Sequence, residues 1–288
     1  MKNRNGIYPY LLVAPALLFI TIVSLYPTLY SLYLSLTRSK RGVTEFVWFD
    51  NFQKILRSSD FMESLQNTLV FSSLYVLLTV VIAFGLALIL NRKMKLTALY
   101  MTIIFLPWIL SEITTGVVWR WMFYQDTGIL QNLLAPLFNN IAIISRPWGA
   151  MGIVIAATVW RSISFAMLLI LAGLQTVPRE VHEAASIDGA NGWNAFRLIT
   201  WPLVLPTTIV TIVFMTIQAV NGVGMILSIT EGGPGRATEV LGLQMYRQAM
   251  QYYNFGYAAA LSVILLILNV ILASFYLRAL QRENALAG

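Results

Sequence analysis

Residues 178–206 read PREVHEAASIDGANGWNAFRLITWPLVLP, the one long polar stretch between strongly hydrophobic segments in the second half of the chain. It parses as helix, glycine break, helix, proline stop. Pro178 suits a helix start, because its missing N–H is a donor the first turn leaves unpaired anyway. Asp188-Gly189 and Asn191-Gly192 are turn formers that supply a chain reversal. Pro202 is expected to end the second helix and begin the climb into the next apolar run. Ala184 and Ala185 are small enough for a partner surface to come close, and Glu183 is a charge that can pair with a basic residue on it. A helical hairpin of this kind, in a loop between apolar segments, offers a soluble partner something to grip.

The sequence around that loop is far more apolar. The 288 residues are 58% hydrophobic and 11% charged, with a mean hydropathy of +0.72. Soluble domains carry about 25% charge, so this composition marks a membrane protein. The absence of cysteine excludes disulfides, thiol catalysis and thiolate metal sites. A single histidine, His182, rules out a histidine-built metal site or triad and reads as a surface residue of the loop. Neither a cofactor nor a metal is expected. The net charge of +7 is scattered between apolar runs, which fits positive loops at a cytoplasmic leaflet better than nucleic-acid binding.

A bilayer-spanning helix needs about 20 mostly apolar residues. Six segments qualify, roughly 9–37, 67–91, 99–124, 148–176, 203–229 and 253–279. The first, preceded by Lys2 and Arg4, is far longer than the roughly 7–15-residue core of a signal peptide and reads as a retained helix. Tyr8, Tyr10, Trp108, Trp119, Trp121, Trp148, Tyr252 and Tyr253 fall near segment ends, as interfacial anchors should. Only helices or closed barrels satisfy their backbone in lipid. These segments are too long and too evenly apolar to be strands. The expectation is an all-α polytopic membrane protein, with residues 1–288 forming a single transmembrane domain. The 38–66 loop is expected to hold a short external helix, and residues 128–138 an interfacial amphipathic one.

An even number of spans puts both termini on one side, with Lys2, Arg4, Arg92, Lys93, Lys95, Arg179, Arg197, Arg278 and Arg282. The opposite loop carries Arg38, Lys40, Arg41, Lys54 and Arg57. That distribution supports cytoplasmic termini only weakly, and basic residues alone do not set the orientation.

The polar loop resembles the EAA loop of the membrane subunits of ATP-binding-cassette (ABC) importers. That pattern is EAA, three residues, Gly, nine residues, Ile, one residue, Leu-Pro. Glu183, Ala184, Ala185, Gly189, Ile199 and Pro202 fall on this spacing, with Trp201 in place of the leucine and Asp188 just before the glycine. NFQKILRSSDFMESLQNTLVFS at 51–72, RPW at 146–148, WRSISFAMLLILAGLQTVP at 160–178 and TEGGPGRAT at 230–238 are similar to the carbohydrate-type permeases of that family. The resemblance implies a type I importer permease fold with a cytoplasmic coupling loop and cytoplasmic termini in the inner membrane. It implies a second, different permease, two ABC ATPase subunits and an external solute-binding protein as partners. The implied cargo is a di- or oligosaccharide or a related polyol.

ATP hydrolysis belongs to a partner. A phosphate-binding loop needs Gly-x-x-x-x-Gly-Lys, and none of Lys2, Lys40, Lys54, Lys93 and Lys95 follows a glycine. The reading from a different class is a secondary transporter or a polytopic membrane enzyme. It would require a self-contained coupling or catalytic constellation, and the chain offers only Glu112 and one loop histidine.

Apart from Arg278 at the very end of the last segment, three charges fall inside the expected spans, and intramembrane charges are functional by default. Arg120, between Trp119 and Trp121, reads as snorkelling to the outer interface. Glu112 lies 13 residues from the start of its segment and Arg161 lies 15 from the end of the next. At about 1.5 Å per residue both sit about 20 Å up, level enough to pair. A structural ion pair competes there with direct substrate contact. Gln218, Asn221, Gly222 and Met225 recur at i, i+3, i+4 and i+7, one helical face suited to a polar pathway. Interhelical hydrogen bonding is the competing reading. By resemblance, maltose permeases place sugar-contacting asparagines in this stretch. Trp160 and Phe165 are further pathway candidates, against simple packing.

Overall fold

The computed structural model describes residues 8–40, 43–92, 95–138 and 141–286. Lys2, Arg4, Arg41 and Lys93 lie outside them, as do the side chains of Tyr8, Tyr10, Lys40, His182 and Arg282. The chain divides into two compact units, Met1–Ser58 with Met245–Leu266, and Ser59–Gln244 with Ile267–Gly288.

The first unit opens with helix α1 (Tyr8–Ile20), a π-helical turn (Thr21–Leu25) and α2 (Tyr26–Ser35). A two-stranded antiparallel hairpin follows, β1 (Thr37–Lys40) and β2 (Val43–Phe46), with Thr37 opposite Phe46. It was not foreseen in the 38–66 loop, although its Thr, Val and Phe content favours a pleated surface. The external helix expected there is α3 (Asp50–Arg57). Buried Asn51 ties these pieces together, its amide donating to the carbonyls of Ser35 at 2.9 Å and Thr37 at 2.8 Å. Asp50 pairs with Arg38 and, at 3.0 Å, with Lys54. Within the same unit the Ser31 and Ser262 hydroxyls bond at 2.8 Å.

The second unit begins with α4 (Ser59–Leu90), eight residues ahead of the expected span start at 67. Then come α5 (Thr97–Ile109), α6 (Glu112–Met122), α7 (Ile129–Leu134), α8 (Pro147–Gln175), α9 (Arg179–Ile187), α10 (Gly192–Ala195), α11 (Trp201–Asn221) and α12 (Gly224–Ile229). Helices α13 (Leu241–Met250) and α14 (Phe255–Leu286) run through the division between the units. The core of this unit is α8, which packs on α4, α11 and α5. Small residues permit the close approach. Ala150, Ala157 and Ala166 are fully buried, and a Cβ added at Gly173 would stand 2.8 Å from Thr207 Cβ.

Among the described residues, five helical segments are long and apolar enough to cross a membrane: Leu12–Ser35, Ser59–Leu90, Pro147–Gln175, Gly192–Asn221 and Phe255–Tyr276. The sixth, expected over 99–124, is the pair Thr97–Ile109 and Glu112–Met122, bent by 93°. The segment expected over 203–229 also breaks, between Asn221 and Gly224.

Pro202 does not end a helix, because helical backbone continues through it from Gly192 to Asn221. The reason is the π-helical turn Phe196–Thr200, in which Trp201 N–H reaches back five residues to the Phe196 carbonyl. The α-helical ladder restarts at Trp201, so Pro202 falls in a first turn, where its missing N–H costs least. The same device precedes Pro27, where Tyr26 N–H reaches the Thr21 carbonyl.

Candidate functional site

The break between α5 and α6 starts from Pro107, whose ring obstructs the last turn of α5. Leu110 and Ser111 then turn extended, both with ψ 141°, and Glu112 opens α6. A carbonyl freed at membrane depth needs a new donor, and α8 supplies one to Leu110. Arg161 Nε donates to the Leu110 carbonyl at 3.1 Å, and Ser164 Oγ to that of Ile104 at 2.5 Å. Arg161 Nη1 lies 3.4 Å from Glu112 Oε1, and the guanidinium carbon sits 4.9 Å from the centroid of the Trp108 ring. The depth arithmetic for Glu112 assumed a straight helix, which the bend removes. What brings the two charges together is the break itself. Glu112 also sits in the first turn of α6, where the helix dipole favours an anion.

The stripe Gln218, Asn221, Gly222 and Met225 is not one helical face, because α11 stops at Asn221 and Gly222 is extended at φ −69°, ψ 123°. The break sorts the four residues. Gln218 and Asn221 are exposed and Met225 is buried. Gln218, Gly222 and Met225 nevertheless line one small cavity of about 30 Å³ with Tyr75, Glu112, Arg161 and Ser162. Asn221 donates to the Ile217 carbonyl at 2.7 Å and trades amide contacts with Asn269 of α14 at 3.3 and 3.4 Å.

Glycines hold the two breaks against each other. A Cβ at Gly224 would meet Glu112 Oε2 at 2.7 Å, and one at Gly116 would meet Ser228 Cβ at 2.5 Å. Helices α6 and α12 therefore pack at a distance that only glycine permits.

Aromatic rings flank this region. Trp108 stacks on Phe165 at 4.7 Å, Phe165 meets Phe214 at 4.8 Å, and Trp160 meets Trp119 at 6.1 Å. Arg120 pairs with Glu231 of the 230–238 stretch, Nη1 2.6 Å from Oε1. Sequence reasoning missed Asn269 and the Trp108 platform. A lone asparagine in the otherwise apolar run 255–276 was the available signal.

The polar loop forms α9, a turn and α10. Its reversal is a Schellman motif, in which Gly189 adopts φ +78°, Gly189 N–H donates to the Ser186 carbonyl at 3.2 Å, and Ala190 N–H to that of Ala185 at 2.9 Å. Asn191 caps the next helix, its side-chain oxygen accepting from Asn194 N–H at 2.8 Å. The pair Asp188-Gly189 thus makes the turn, while Asn191-Gly192 starts the helix. Ala185 is buried, so of the two alanines only Ala184 is open to a partner. Glu183 and Asp188 are exposed, Ile199 is half-buried and Pro202 is exposed. Beside the loop runs a cleft of about 700 Å³ bordered by Arg92, Gln175, Arg179 and Glu183.

Residues 76–283 match the family described as binding-protein-dependent transport system inner membrane component. The chain belongs to that family. It is a permease subunit of a binding-protein-dependent ABC importer, a transport component and not an enzyme. Membership removes the secondary-transporter and membrane-enzyme reading. This permease is 34% identical over 293 residues to the sn-glycerol-3-phosphate transport system permease protein of Agrobacterium fabrum, covering 97% of this chain and 96% of that one. It is 31% identical over 284 residues to the trehalose/maltose transport system permease protein of Thermococcus litoralis, covering 96% and 95%. Its fold is shared with a chain of a bacterial ABC transporter involved in the import of the acidic polysaccharide alginate, at a TM-score of 0.82 and 22% identity over 96% of this permease and 95% of that chain.

Proposed function

We propose that this permease forms one side of a carbohydrate or polyol pathway, lined by Gln218, Asn221, Asn269 and Glu112 with Trp160 and Phe165 nearby. The observation that carries the reading is a polar surface at the breaks of two apolar spans. Gln218 and Asn221 are exposed there, and the Glu112 side chain is 40% exposed. Such groups do not face hydrocarbon, where each would cost several kcal/mol. They face water, shared with a second, different permease across a heterodimer interface. Amides and a carboxylate match the hydroxyls of a neutral sugar, and trehalose and maltose appear in one relative's name.

The remaining assembly follows from the loop. Glu183, Ala184, Asp188 and Gly189 present an exposed hairpin to one of two ABC ATPase subunits, with Ala185, Ile199 and Pro202 holding its shape. Both termini lie in the cytoplasm, and an external solute-binding protein delivers cargo on the opposite side. Residues 1–288 act as one transmembrane domain, a reading supported by apolar segments that follow one another with no long polar domain between them.

The test is uptake by the complete transporter with membrane levels controlled. Asn221→Leu and Asn269→Leu each remove an amide that a sugar hydroxyl would use, at about 1–3 kcal/mol, so uptake is expected to fall about tenfold or more. Normal uptake, or a loss accounted for by failed assembly, would reduce these residues to helix–helix contacts.

A further inference from the structure

The ionisable side chains lining the small cavity at the two breaks are Glu112, Arg161 and Tyr75. A guanidinium beside a solute pathway is ordinarily an anion receptor, since its planar fork matches phosphate and carboxylate. Arg161 is differently committed. Its Nε is occupied by the Leu110 carbonyl at 3.1 Å, its Nη1 lies 3.4 Å from Glu112 Oε1, and its central carbon lies over the Trp108 ring at 4.9 Å. Exposure separates the pair further, at 15% for the Arg161 side chain against 40% for Glu112. A solute arriving at the break therefore meets the carboxylate, with the cation behind it and already compensated.

The pair sums to zero charge, and its outward member is negative. An anionic solute would approach a like charge before it reached the cation behind it, which opposes its binding even on a hydrated surface. A neutral polyol meets the reverse situation. Its hydroxyls can donate to the Glu112 carboxylate and both donate to and accept from the amides of Gln218, Asn221 and Asn269.

We propose that Glu112 is a specificity-determining residue, which masks Arg161 so that this permease passes uncharged sugars or polyols and rejects those bearing phosphate, sulfonate or carboxylate. The proposal rests on the pathway reading above. Replacing Glu112 by an isosteric neutral group exposes an uncompensated guanidinium and converts the same surface toward anion binding.

Trehalose and trehalose 6-phosphate, a pair differing by one phosphate, test this by equilibrium binding to the complete transporter in nanodiscs without its binding protein. The wild type is expected to hold trehalose at least about tenfold tighter than the phosphate. Whatever Glu112→Gln does to trehalose binding itself, the ratio of the two affinities shifts about tenfold or more toward the phosphate, and adding Arg161→Gln abolishes that shift. A wild type that binds the phosphate equally well, or a ratio unmoved by Glu112→Gln, overturns the proposal. If Glu112→Gln does not assemble, the wild-type ratio and that of the charge-preserving Glu112→Asp, expected to match it, decide alone. Failure of the wild type to bind either sugar also overturns it. Uptake by Asn221→Leu then tells whether the pathway reading falls with it.

Discussion

Arg161→Gln is expected to destabilise the permease far more than Glu112→Gln, although the two residues form one ion pair. The asymmetry follows from what each side chain touches. Arg161 satisfies the Leu110 carbonyl at the bend, and leaving that acceptor without a donor costs about 1–3 kcal/mol. Its guanidinium over Trp108 adds about 0.5–2 kcal/mol. The ion pair is the smaller part. At 3.4 Å and with Glu112 40% exposed, solvent screening brings it to about 1 kcal/mol rather than the value of a fully buried pair. Arg161→Gln should therefore cost about 3–5 kcal/mol in all. Glu112→Gln loses the pair and a favourable charge in the first turn of α6, about 1–2 kcal/mol together. Thermal unfolding of the purified complex, read as a double-mutant cycle, measures both costs and a coupling of about 1 kcal/mol. Equal losses from the two single variants, or a neutral Arg161→Gln, would show that Arg161 does not brace the bend.

Gly189→Ala should cost about 1–2 kcal/mol, because φ +78° strains any L side chain although nothing lies within 4 Å of the added Cβ; Gly189→Asn should be milder, and thermal midpoints rank the two. Glu183→Lys reverses an exposed charge, so normal expression with lost substrate-stimulated ATP hydrolysis is expected in the reconstituted complex; unchanged coupling would remove Glu183 from the docking surface. Gly116→Ala drives a Cβ to 2.5 Å from Ser228 Cβ and should cost about 1–3 kcal/mol, relieved in part by Ser228→Gly; thermal stability of the single and double variants checks it. Gly256→Ala sets a Cβ 2.0 Å from the Thr37 carbonyl oxygen, a backbone atom that has little freedom to move, so the variant should assemble poorly on size-exclusion chromatography.

Hydropathy and the motif loop were legible from residues alone because both rest on local physics. Apolar runs of about 20 residues have little choice but helix in lipid. A glycine after EAA and three residues is where a left-handed turn is cheapest, and Gly189 takes it at φ +78°. Less local features were misread. Pro202 looked like a stop, yet a π-helical turn five residues long absorbed it, and no hydrophobic pattern announces that register change. Ala184 and Ala185 looked equivalent, but the Schellman bond drawn from the Ala185 carbonyl accompanies one facing out and the other in.

What the sequence determined by itself was the class of protein, the number of apolar segments and the place of the polar hairpin, since each depends on residues adjacent in the chain. Tertiary structure alone decided the breaks at Leu110–Ser111 and Gly222–Val223. A proline or glycine permits a break, but a span stays broken in lipid only if another helix supplies donors to the freed carbonyls, as Arg161 does from α8 to Leu110. The same holds for Asn269, which is one asparagine in an apolar run until packing sets its amide 3.3 Å from that of Asn221.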